Sequence, residues 1–152
     1  AVLLNEAIGA LRNVDLYIYG HSTDVGTVLY VYREKSFCPK YAIGSTDSRW
    51  GNNDGTAIRE AASRVRRHTR ENCLFFMISD GAPNEIVEEV RQAVLDVEKQ
   101  GFAIVAVSIE PMYDPSLMYH RNVNLTDMSR LAVDLGKMVK KAIADNTRRK
   151  IQ

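Results

Sequence analysis

Two near-continuous apolar runs, CLFFMIS (73–79) and FAIVAVSI (102–109), constrain this chain more than any other feature. Neither alternates apolar with polar residues, so each reads as a strand covered on both faces. That is the pattern of a parallel sheet, not of a sheet with one wet side. Between them, Ile86, Val87, Val90, Ala93, Val94 and Val97 recur at helical spacing and predict a helix over 84–100. Asn84 is placed to cap its start and Gly101 to close its end.

The remaining segments extend this strand–helix–strand unit. Residues 1–12 carry Val2, Leu3, Leu4, Ala7, Ile8 and Leu11 at helical spacing. VDLYIYG (14–20) and TVLYVYR (27–33) are β-branched and aromatic, and the short HSTDVG between them predicts an antiparallel hairpin. Residues 34–55 lack periodicity and contain Pro39, Gly44, Gly51 and Gly55, the mark of a long irregular connection. TAIREAASRVRRH (56–68) is a helix with Ala57, Ile58, Ala61, Ala62 and Val65 on one face. Residues 110–124 are a loop with two prolines and room for a short edge strand. Thr126 then caps a last helix, and 146–152 is a basic tail. Strands alternating with helices predict an α/β fold. The expected form is a doubly wound, Rossmann-like, mostly parallel sheet with one antiparallel strand and helices on both faces, in one domain over 1–145.

Composition narrows the function classes. The chain has 152 residues, with 20 Lys and Arg against 19 Asp and Glu, a net charge of +1. That balance argues against a general nucleic-acid or membrane-surface binder. No apolar run is long enough for a membrane span. The two cysteines, Cys38 and Cys73, form neither a disulfide framework nor a zinc motif, and they suit a reducing cytoplasmic compartment.

In doubly wound sheets, ligands bind at loops leaving the carboxyl ends of strands. Three oxygen-rich segments lie at such places: HSTD (21–24), GNNDGT (51–56) and SDGAPNE (79–85). Asp80 directly follows a buried strand, Gly81 permits a sharp turn there, and Pro83 stiffens the loop. Asn, Asp, Ser and Thr oxygens are hard ligands, suited to Mg²⁺, Mn²⁺ or Ca²⁺. The same residues are also ordinary turn and cap formers, so an SDG after a strand is often only a turn.

NNDGTAIREAA (52–62) followed by ISDGAPNE (78–85) resembles a von Willebrand factor type A (vWA) domain. It is most similar to the bacterial intracellular branch of the cobaltochelatase subunit and the nitric oxide reductase activation proteins. YGHST (19–23) resembles the end of that branch's second strand, and the order of elements fits over essentially the whole chain. The resemblance implies a metal-ion-dependent adhesion site (MIDAS), with Mg²⁺ the expected ion. Asp80 matches the ligand of the third loop. Asn52 stands where other branches carry a ligating Thr; Asn52 and Asp54 are the expected ligands of the second loop, with Thr56 as a helix cap or supporting group. Trp50, His21 and Ser22 are expected at the partner-binding surface. The family's Asp-x-Ser-x-Ser loop is absent, and residues 1–12 match the helix that follows it. The chain is therefore expected to lack the family's first, central strand, leaving unpaired backbone groups. A whole domain of roughly 180 residues or more is expected, with an intact mass above 17.1 kDa.

Two functions compete. The resemblance implies a non-enzymatic, metal-dependent protein–protein interaction module that works with a MoxR- or chelatase-type AAA+ ATPase in metal insertion or enzyme activation. The alternative is a Mg²⁺-dependent phosphohydrolase-like enzyme with Asp80 in a catalytic role. Against it, there is no Gly-rich phosphate loop, no G-x-S-x-G elbow and no paired nucleophile and base. Arg59, Arg64, Arg66, Arg67 and Arg70 cluster on and after one helix. They suit either a solvated face or a docking face for an acidic partner. His21, His68 and His120 lack nearby acid or Cys partners in sequence, which favours surface positions over catalytic or metal roles. Tyr17, Tyr19, Tyr30 and Tyr32 alternate as strand packing residues.

Overall fold

The computed structural model describes residues 5, 14–23, 25–35, 37, 51–79, 82–109 and 113–125, with isolated positions at 133, 136, 137, 140 and 141. Among the described residues, five strands and two helices follow one another in order. They are β1 (Tyr17–Thr23), β2 (Thr27–Glu34), α1 (Asp54–Arg66), β3 (Cys73–Ser79), α2 (Val87–Glu98), β4 (Phe102–Ile109) and β5 (Asn122–Leu125). A short 3₁₀ turn, Pro115–Leu117, precedes β5. The expected helices over 1–12 and after Thr126 lie almost wholly outside the described residues, as do Trp50 and Asp80.

β3, β4 and β5 form a parallel sheet in that order, and β1 pairs with β2 as an antiparallel hairpin. The α/β class holds. The single continuous sheet does not appear among the described strands, which form two separate sheets. The expected hairpin is present, but β1 runs on through His21, Ser22 and Thr23, so the turn lies closer to Gly26. Ser22 is buried and His21 faces a polar partner. Both therefore sit comfortably in a strand that apolar periodicity alone ends at Gly20.

β4 is buried along nearly its whole length, on both of its faces. Phe102, Ile104 and Ala106 share one core with Met77 of β3, with Ile58, Ala62 and Val65 of α1, and with Val90, Val94 and Val97 of α2. Each large aliphatic side chain removed from water in this way contributes about 1.5–3 kcal/mol. The flanking Ala103, Val105 and Val107 point the other way and are equally buried, as a central parallel strand requires.

The two helices pack side by side through a close approach at Gly55. A Cβ there would stand 3.2 Å from the Val90 backbone and 3.3 Å from Ala93. Gly101, at φ +87°, closes α2 and turns the chain into β4. The start of α2 differs from expectation. It begins at Val87, and Ile86 stands at the cap position with no side-chain cap bond. Asn84 does not cap it. Its backbone N–H instead donates to the Asn52 carbonyl at 2.8 Å. Residues 84–86 are drawn away to tie two loops together.

Candidate functional site

The carboxyl edge of the strands gathers around one carboxylate. Asp54 opens α1 with its side chain fully buried. Its Oδ1 accepts from Asn52 Nδ2 at 2.9 Å and lies 3.2 Å from His21 Nε2. Its Oδ2 accepts from the Tyr119 hydroxyl at 3.3 Å. A buried carboxylate is tolerated only when its charge is met by donors, and this one draws them from β1, from the loop before α1 and from the segment before β5. Burial, then the Asp54 charge, raises the Tyr119 phenol well above its ordinary pKa, so it stays protonated and keeps donating.

Neighbouring bonds lock the same loops. The Thr23 N–H donates to the Gly51 carbonyl at 3.1 Å, and the Asn53 N–H donates to Thr23 Oγ1 at 3.0 Å. Glu85 reaches across from the loop after β3 to cap α1. It accepts from the Gly55 N–H at 2.5 Å, the Thr56 N–H at 3.0 Å and the Thr56 hydroxyl at 2.7 Å. A carboxylate on the free N–H groups of a helix start is favoured by both hydrogen bonding and the helix dipole.

The structure thus brings together His21, Asn52 and Asp54 from the sequence-expected set, with Thr56 on the adjoining Glu85 cap and Ser22 buried in β1. Their roles separate. Asp54 is the buried hub, Thr56 serves the Glu85 cap, and His21 Nε2 lies against Asp54. Asn52 Oδ1 has no protein donor among the described residues. Asp80 and Trp50 lie outside those residues. Among the described residues, no three His, Cys, Asp or Glu side chains converge as metal ligands. Asn52 Oδ1 is a hard oxygen beside Asp54, and a cation there requires donors beyond it.

Two contributors carried little sequence signal. Tyr119 lay within a loop notable only for apolar residues. Glu85 belonged to an oxygen-rich segment, but nothing local marks it as the cap of a helix about thirty positions earlier.

A second polar cluster holds the opposite end of the hairpin. Glu34 accepts from Tyr19 Oη at 2.8 Å and from Arg64 Nε at 3.0 Å, with His68 Nε2 at 3.8 Å. Burial opposes the charged Glu34, but the bonds from Arg64 and Tyr19 outweigh it and hold the carboxyl below its ordinary range. Tyr17 packs its ring on His68, and burial pushes its phenol up to about 12. No family model, curated protein or solved structure matches the chain.

Proposed function

We propose that this protein is a non-enzymatic, divalent-metal-dependent interaction module of the vWA type. The observation that supports the reading is the convergence of the segments around Thr23 and Asn84 on the 51–53 loop, whose Asn52 bonds the buried Asp54, at the carboxyl edge of the strands. Such an edge is where α/β sheets carry their ligand sites. In this reading Asn52 and Asp80 hold the ion, most simply Mg²⁺. Asp54 is a positioning residue that fixes the Asn52 amide, and Glu85 and Thr56 fix the helix start beside it. A divalent cation supplies an open coordination position that a partner's Asp or Glu carboxylate fills. Trp50 directly precedes that loop in sequence.

By the resemblance of 52–62 and 78–85, the partner is an AAA+ ATPase of the MoxR or chelatase type, and the setting is cytoplasmic. Cys73 is a free thiol, and no described helix is long and apolar enough to cross a membrane. Affinity capture of a purified ATPase of this class tests the proposal. Retention in Mg²⁺, release by a chelator and no phosphatase turnover are expected. Retention that ignores both the chelator and Asp80→Ala would remove the metal-dependent mechanism.

A further inference from the structure

The other end of α1 carries a feature that the site above does not use. Residues 59–70 hold five arginines against Glu60 alone, on a chain whose net charge is only +1. Two of the arginines are neutralised by carboxylates: Arg64 binds Glu34 and Arg59 binds Asp96 at 3.2 Å. The other three have no carboxylate partner among the described residues. Arg66 spends its donors on neutral groups, the carbonyls of Thr69, Glu71 and Gln100, and rests 4.1 Å over the Phe102 ring. Its positive charge is therefore fixed in place and uncompensated. Arg67 and Arg70 are exposed. Together with Ser63, His68 and Thr69 these three line an open depression of about 500 Å³.

We propose that this depression is a docking surface for an acidic peptide segment of a partner protein, separate from the carboxyl-edge site. The exposed Arg67 and Arg70 guanidinium groups match carboxylates in charge and in bidentate geometry, and Arg66 adds a fixed positive charge beside them. The pinned Arg66 removes part of the ordering cost that a free arginine carries on binding. Single-stranded nucleic acid fits less well. No Phe, Tyr or Trp lines the depression to stack a base, and the chain lacks the overall positive charge of such binders.

Fluorescence anisotropy at low salt, with a labelled octaglutamate peptide and the whole protein, tests the surface. Octaglutamate is expected to bind, and to weaken as salt rises toward physiological strength. Arg67→Glu is expected to weaken it about tenfold, while Arg91→Glu, the same charge change on the exposed face of α2, stays within about twofold. The uncharged double variant Arg67→Gln/Arg70→Gln should lose affinity without changing the circular dichroism melt. No binding by the native protein, an equal loss with Arg91→Glu, or tighter binding of an oligothymidylate of matched charge would each overturn the proposal.

Discussion

A carboxylate shut away from water must have its charge met by donors, and Asp54 collects them from His21, Asn52 and Tyr119. Removing it leaves several buried polar groups without a partner, whereas removing one donor deletes a single bond. Asp54→Ala is therefore expected to cost about 2–4 kcal/mol, and Tyr119→Phe about 1 kcal/mol, in urea denaturation. Equal costs would mean that Asp54 is not the hub. Glu34 provides a second test at this scale. Its folded-state pKa lies below its ordinary value of 4.5. Its contribution is therefore fully present above about pH 4.5 and is lost as pH falls through the lower folded-state value. Glu34→Gln should be less stable than the native protein by roughly 1–2 kcal/mol at pH 7, with the gap closing by pH 3. A gap that persisted at pH 3 would assign the loss to packing and not to charge.

Among the elements, the link between α1 and the loop after β3 rests on Glu85 and Gly55. Glu85→Gln keeps the shape but loses the charge on the helix start, at an expected cost of about 1 kcal/mol. Gly55→Ala would push a methyl group into the Val90 backbone and the Ala93 side chain, at about 1–3 kcal/mol. Thermal melts of the two variants check both values. These contacts also show what sequence pattern can and cannot reveal. β3, β4, α1 and the hairpin were legible because their apolar residues repeat at the strand or helix period, and burial follows that period. The start of α2 was not, because Asn84 and Glu85 are claimed by tertiary bonds to the 52–56 segment that leave no local trace. The extension of β1 through Ser22 was hidden for a related reason, since its inward residues are polar with polar partners. Within the site, the residue types of the 51–56 loop were legible. The inward turn of Asp54 and its bond to Tyr119, 65 positions away, were not.

At the scale of the whole molecule, the described strands make two sheets that share α1. Thr23, at the end of β1, and Asn84, beyond β3, both bond to residues 51–52, so the two strands finish at the same edge. β3 pairs with β4 on one side, and no described strand pairs with its other side. Its residues are mostly half-buried where those of β4 are fully buried. In a parallel ladder the N–H groups of a strand alternate between its two neighbours. Hydrogen exchange should therefore find the amides of Ala106–Ser108, paired on both sides, protected throughout, but those of Leu74–Ile78 protected only at alternate positions. Uniform protection along β3 would contradict that strand arrangement.

The central claim is that the carboxyl edge around Asp54 holds a divalent cation through Asn52 and Asp80. Isothermal titration of Mn²⁺ into the protein and its variants tests it most directly. The expected result is one saturable site, lost in Asp80→Ala and weakened roughly tenfold or more in Asn52→Ala, with Arg91→Glu unchanged. Binding that is absent in the native protein, or that survives Asp80→Ala at full affinity, would contradict the account.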